Sequence, residues 1–245
     1  MDHIPFYRIL PGSKNAVLMI HGICGSPAHF ERLIPLIPED WSVYNILLDG
    51  HGGTVEDFGK SSMEKWKSQA ENMLEKILLA HQRVFVVGHS MGTLFAIQGA
   101  IDHPGRISGL FLLAVPLRIH MPPSTMLTCL RVAWGNLRPD DDAARAMAND
   151  SGIQMTRKLW KYIPWAPRML ELLAECRRVR KILPGLQVRT LAFQSGRDEL
   201  VSIRTTEDLG QNSSVQTVIL EDSGHFAYGP GDQKLLQEEF RRFLG

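Results

Sequence analysis

The sequence predicts an α/β protein with a mostly parallel central sheet, helices on both of its faces, and a helical cap insertion. Three observations predict it. Six short apolar runs recur with turn signals after them, the stretches between most of them have helical periodicity, and that alternation breaks between about Val115 and Pro184. Near-continuous apolar strands alternating with helices are the pattern of a sheet covered on both sides. At 245 residues, the chain suits one large domain with an insertion.

The runs, in order, are AVLMIHG, SVYNILLDGHG, VFVVGHS, ISGLFLLAV, VRTLAFQSGRD and VQTVILEDSGH. Their β-branched and apolar residues predict strands, and the Gly, Asp and Ser after them predict the turns. Residues 63–80, MEKWKSQAENMLEKILLA, set Trp66, Met73, Leu74 and Ile77 on one face and charges on the other, so they predict an amphipathic helix. MGTLFAIQGAIDHPG, after the third run, also has helical spacing and stops at His103-Pro104-Gly105. A polar helix is expected near residues 202–211, and a C-terminal helix over DQKLLQEEFRRFL.

Residues 116–185 read differently. They hold no convincing strand, are punctuated by prolines, and carry large deformable apolar residues: Met121, Met126, Trp134, Met147, Met155, Trp160, Tyr162, Trp165 and Met169. The expected organisation is a core of residues 1–115 and 186–245 with a cap of residues 116–185, either a helical insertion with its own small core or a lid over the strand ends. This segment carries 12 Lys and Arg against 6 Asp and Glu, a net +6 that leaves −5 for the rest. Such an imbalance is ordinary solvated surface in the first reading. The sharper reading is attraction of an anionic substrate group or an anionic lipid surface.

Composition excludes several classes. A net charge of +1 gives no electrostatic case for a nucleic-acid partner. No apolar run approaches the ~18–20 residues needed to cross a bilayer, and MDHIPFYRILPGSK lacks the pattern of a secretory leader. Cys24, Cys129 and Cys176 are odd in number and far apart, which suits a reducing compartment and neither a disulfide framework nor a zinc site. The expectation is a cytoplasmic protein. No Walker, G-x-G-x-x-G, H-E-x-x-H or C-x-x-C motif is present, so no cofactor or metal is expected.

The chemistry gathers at strand ends, where open parallel sheets carry their functional residues. GHSMG places Ser90 at a strand-to-helix turn. Side chains two positions either side would crowd the backbone of so sharp a turn, which accounts for Gly88 and Gly92. The Met91 amide, first in the helix, can donate to an oxyanion. A serine hydroxyl needs a base, and the base needs an orienting carboxylate. Of nine histidines, His225 alone follows the last strand with a glycine before it. His3 is terminal, His29, His81 and His103 sit in or beside helices, and His120 is in the insertion. His89 adjoins Ser90, but neighbours on a strand point to opposite faces. Asp198 ends the preceding strand and is the expected acid, with Glu199 its rival; Glu221 and Asp222 are expected to support the His225 loop. The second oxyanion donor is expected at the Ile23 amide, in the loop of HGICGSP, with His21, Gly22 and His51 shaping loops and Cys24 a small structural residue.

HGICGSP, DGHGG, GHSMGT, GRDELV and DSGHF, in that order, resemble the α/β-hydrolase superfamily, and within it small bacterial carboxylesterases and monoacylglycerol lipases. The resemblance implies the α/β-hydrolase fold, Ser90 as nucleophile, Asp198 as acid, His225 as base, and oxyanion amides at Ile23 and Met91. It also places the cap after ISGLFLLAV. Thr93 departs from the glycine often found there. The cap has no such likeness.

The expected function is cofactor-free hydrolysis of a small-molecule carboxylic ester, with a short- to medium-chain acyl group or a monoacylglycerol as substrate. Activity should rise through about pH 6 to 7.5 as His225 loses its proton. The same residues on an amide, thioester or carbon–carbon bond form the alternative, and a ligand-binding protein with little turnover is a third reading from another class.

Overall fold

Every apolar run forms a strand, and one further strand lies at the sheet edge. In order, the elements are β1 (Phe6–Arg8), β2 (Asn15–Ile20), β3 (Ser42–Ile46), α1 (Val55–Lys60), α2 (Met63–Ala80), β4 (Arg83–His89), α3 (Met91–Asp102), β5 (Gly109–Leu113), α4 (Pro123–Ala133), α5 (Asp142–Asp150), α6 (Trp165–Ile182), β6 (Thr190–Ser195), α7 (Thr205–Leu209), β7 (Val215–Leu220) and α8 (Pro230–Leu244). This computed structural model describes residues 3–120, 122–133, 135 and 142–245. Met121 and Trp134 lie outside the described residues.

The sheet order is β1-β3-β2-β4-β5-β6-β7. Among the described strands only β1 is antiparallel, pairing Tyr7 with Tyr44 of β3. Three residues are too few to show an alternation in sequence, which is why β1 gave no signal. After β2 the chain steps outward to β3, then returns to the other side of β2 as β4. Ligands of open α/β sheets bind at such a reversal, outside the strands' carboxyl ends. Ile20 of β2 pairs with Gly88 of β4, and His89 with Leu113 of β5. The loops after β2 and β4 therefore emerge side by side.

Successive strand residues point to opposite faces, and each face is buried. Leu18, Ile20 and Val86 face a core completed by Trp66, Leu74, Leu94 and Ile97. Val17, Met19 and Val87 face the other, with Phe30, Phe111, Phe240 and Phe243. Burial of each such side chain stabilises the fold by about 1.5–3 kcal/mol. The helix α2 starts where Ser62 accepts a hydrogen bond from the Lys65 amide at 3.2 Å, an N-cap. Its Trp66, Ala70, Leu74 and Ile77 form the buried stripe, and Trp66 Nε1 donates to the Asp49 carbonyl at 2.7 Å. That bond fixes the loop after β3.

Between β5 and β6 the described residues hold α4, α5, a short 3₁₀ turn at Leu159–Tyr162, and α6, with no strand beyond isolated bridges. Leu172, Cys176 and Val179 of α6 join the core beneath α2 and α3. The segment between α5 and α6 is stitched to the loops after β2 and β3: the Gly152 amide donates to the Cys24 carbonyl at 2.9 Å, and the Gln154 amide to the Gly53 carbonyl at 2.8 Å. Among the described residues, no helix is long and apolar enough to cross a membrane.

Candidate active site

The chain leaves β4 and enters α3 through a single residue, Ser90, at φ 48° and ψ −120°. A positive φ in a non-glycine residue is costly and persists only where the surroundings fix it. Here the Ser90 amide donates to the Leu113 carbonyl at 2.9 Å, and Thr93 Oγ1 donates back to the Ser90 carbonyl at 2.6 Å. The residue that departs from the family pattern thus helps close the turn. A Cβ on Gly88 would sit 2.8 Å from the Thr93 backbone, and one on Gly92 would collide with the Ile20 carbonyl. Both glycines are demanded by backbone approaching backbone.

The loop after β2 lies directly against the serine: a Cβ on Gly22 would be 2.8 Å from Ser90 Cβ. The Gly25 amide donates to the Gly22 carbonyl at 3.1 Å, bending the loop around Ile23. Ile23 and Ser90 border the same cavity. Met91 is the first residue of α3, so its amide has no intrahelical acceptor. Cys24 has φ 58°, and burial pushes its thiol pKa up, so it is held as an unreactive thiol.

After β6 and β7, Asp198 and His225 meet. His225 Nδ1 lies 2.9 Å from Asp198 Oδ2 and 3.0 Å from Oδ1, and both side chains are 2% exposed. Asp198 Oδ1 also accepts from the Leu200 and Val201 amides at 2.8 and 2.7 Å. Burial by itself would raise the carboxyl pKa, but His225 and the two amides outweigh it and hold Asp198 below the usual carboxylate value. Burial would likewise lower His225, but Asp198 first, then Glu199 and Asp150, hold the imidazole above its ordinary 6.5. With Nδ1 turned to the carboxylate, Nε2 is the basic nitrogen. Glu199, the rival acid, takes a different atom: its Oε2 accepts from the His225 amide at 2.8 Å. A Cβ on Gly224 would come within 2.7 Å of Glu199 Oε1, so the glycine before the histidine makes room for that carboxylate.

The remaining histidines at this end of the sheet are framework. His21 accepts from the Leu48 amide at 3.1 Å, and burial lowers its pKa to about 4. His51 packs edge-on against His21, Phe58 and Trp66. His89 turns away from the cavity, and its Nε2–H donates to the His225 carbonyl at 3.2 Å. Burial holds His51 and His89 well below the ordinary imidazole value.

Above Ser90 opens a cavity of about 410 Å³. Ile23, Ile119, Met147, Met155, Trp165, Met169 and Phe226 are among its walls. Most of these side chains come from the segment between β5 and β6, so that segment roofs the serine. Two contributors gave no sequence signal. One is the pair of amides that hold Asp198, which depend on how the chain turns after β6. The other is Asp150, whose carboxylate reaches His29 at 2.8 Å across 121 positions of sequence.

Residues 11–225 match the family model described as serine aminopeptidase, S33. A fluoroacetate dehalogenase from Burkholderia sp. is 26% identical over 110 residues, which are 44% of this chain and 36% of that enzyme. The chain thus matches little more than a third of that relative's length. Among solved structures, that of the metagenome-derived lipolytic enzymes LipS and LipT superposes with TM-score 0.73 at 21% identity, covering 99% of this chain and 97% of the other. The monoacylglycerol lipase of Paleococcus ferrophilus superposes with TM-score 0.70 at 16% identity, over 98% and 97%. The strand order, the strained turn at Ser90 and a family match over 11–225 agree: the chain belongs to the serine aminopeptidase S33 family of the α/β-hydrolase superfamily.

Proposed function

We propose that this hydrolase cleaves carboxylic esters with apolar, short- to medium-chain acyl groups through a covalent intermediate on Ser90. The observation that carries this reading is the position of Ser90, strained into the floor of an apolar cavity and directly after His89, whose ring lies 4.9 Å from that of His225 in the buried His225–Asp198 pair. Ser90 Oγ attacks the ester carbonyl while His225 Nε2 takes its proton. The Ile23 and Met91 amides receive the negative charge on the carbonyl oxygen. The tetrahedral adduct collapses as His225 returns the proton to the departing alcohol. Water then repeats the sequence on the acyl-serine, releasing the acid. Asp198 holds the imidazole in the tautomer that leaves Nε2 free to act.

The substrate class follows from the cavity. Its volume of about 410 Å³ lies within the ~300–1,000 Å³ of small-molecule sites. Its walls supply dispersion and water exclusion with almost nothing to pair a charged or strongly polar acyl group. A halide-releasing reaction, as in the name of the Burkholderia relative, is disfavoured because it uses a carboxylate nucleophile where Ser90 stands. Hydrolysis of a series of chromogenic esters from acetyl to palmitoyl tests the reading. Turnover should peak at short to medium chains and fall on the order of 10⁴-fold or more in Ser90→Ala. A folded wild type that turns over no ester would sink it.

The same reading extends to where the substrate comes from. In the turn at Leu159–Tyr162, Leu159 and Tyr162 line the cavity while Trp160 and, just beyond, Ile163 stand 65% and 71% exposed. They lie in the segment of net charge +6. An apolar ridge in a basic surrounding suits adsorption to an anionic bilayer. Co-sedimentation with anionic vesicles should weaken in Trp160→Ala; equal binding by both proteins would overturn this part.

A further inference from the structure

Beside the Asp198–His225 pair lies a second buried carboxylate–imidazole contact. Asp150 ends α5, and its Oδ1 accepts from His29 Nδ1–H at 2.8 Å, with the two side chains 9% and 3% exposed. With that proton turned to the carboxylate, His29 Nε2 accepts from the Tyr228 hydroxyl at 3.2 Å. Burial, reinforced by Asp150 and Asp198, pushes the Tyr228 phenol up, so it keeps its proton to donate. The chain of bonds runs hydroxyl, imidazole, carboxylate, and its members come from three different places. Tyr228 follows His225 by three residues, His29 lies just beyond the loop that carries Ile23, and Asp150 belongs to the roof.

The His29 ring also lies flat on His89, with centroids 3.6 Å apart and planes 22° from parallel. His89 immediately precedes Ser90, and it holds the His225 carbonyl. The nitrogen and oxygen atoms of His29, His89 and Asp150 come within 4.8 Å of one another. They do not form a metal cradle: in-plane lone pairs of stacked rings run side by side and cannot converge on one ion, and both His29 nitrogens are already engaged. Among the described residues, Asp150 Oδ2 and His89 Nδ1 are buried without partners.

We infer that Asp150, His29 and Tyr228 are a positioning relay that locks the roof, the oxyanion loop and the base loop in one relative arrangement. The inference rests on the reading of Ser90 and His225 as nucleophile and base. Its physical content is geometric. Three loops on separate strands must agree to within a fraction of an ångström, and a misplacement of about 1 Å can cost up to ~10²-fold in rate. None of the three side chains touches the reacting atoms.

The test uses the full-length protein, a butyryl ester, and an organophosphonate that titrates Ser90, so that rates are expressed per reactive site. Work at about pH 9, above the His225 limb, keeps the lost charge of Asp150 out of the measurement. Tyr228→Phe, which removes one hydroxyl, and Asp150→Ala should each lower kcat about tenfold while leaving KM within about twofold. The double variant should fall no further than the worse single, because both break one chain. Asp150→Asn, which retains an acceptor for His29, should recover to within about threefold of wild type. Unchanged kcat in both single variants, losses that multiply in the double variant, or effects confined to KM would overturn the relay. A Ser90→Ala protein that still turns over the ester would instead overturn the underlying esterase reading, and so the two failures are told apart.

Discussion

His225 and His89 have ring centroids 4.9 Å apart, and both are buried to within 2%. Their pKa values nevertheless move in opposite directions, His225 up and His89 far down. Burial acts on both in the same sense, so it does not distinguish them. The carboxylates do. His225 Nδ1 bonds the Asp198 carboxylate directly, whereas His89 bonds the His225 carbonyl, packs against His29 and His225, and has Asp150, its nearby carboxylate, bonded to His29 instead. On the proposed reading, one imidazole exchanges a proton and the other stays a neutral brace. The lesson is that the function of a buried histidine is read from the sign of what surrounds it.

The contrast can be broken hardest at His225. His225→Gln should lower kcat/KM by on the order of 10⁴-fold or more on any ester the wild type cleaves. A fall of only about tenfold would mean that another group serves as base. Asp198→Asn comes next. It should cost roughly 10⁴-fold in kcat through loss of the correct tautomer, and should move the rising limb of kcat/KM to lower pH, because the main influence raising His225 is gone. In the wild type that limb should have its midpoint above pH 6.5.

The neutral histidines make the third prediction, on stability. His21, His51 and His89 have folded-state pKa values below the unfolded 6.5. Between those values the unfolded chain binds more protons, so stability is complete above 6.5 and drains away as pH falls. His21 alone, at about 4, accounts for on the order of 3 kcal/mol by pH 4. Denaturant melts at neutral and mildly acidic pH measure the loss, and a flat profile would show that these rings are not held neutral. Smallest is Glu199→Gln, which should lower the limb midpoint by less than Asp198→Asn does; an equal shift would make the two carboxylates equivalent.

The parts of the site legible in sequence are those enforced locally. Gly88 and Gly92 flank Ser90 because backbone meets backbone there, and His225 was singled out because only it followed a final strand after a glycine. Asp198 and Glu199 were separable only by the turn after β6, which aims one at the imidazole and the other at the amide. The strands showed themselves through β-branched runs, while β1, only three residues long, left no pattern. Asp150 and His29 were invisible because their partnership depends on how the roof folds back over the sheet. His29 looked like a helix-edge residue, and Asp150 like one of six acids in a basic segment.

The order of strands in the sheet also bears on synthesis. Between Ser90 and His225 lie 134 residues, and at roughly 5–20 residues per second the nascent chain carries the proposed nucleophile for roughly 7–27 s before the proposed base is made. Within that interval β5, the second neighbour of β4, is made first, and β6 and β7 follow before His225. On the reading of Ser90 as nucleophile and His225 as base, a chain truncated anywhere before residue 225 should be inactive on esters.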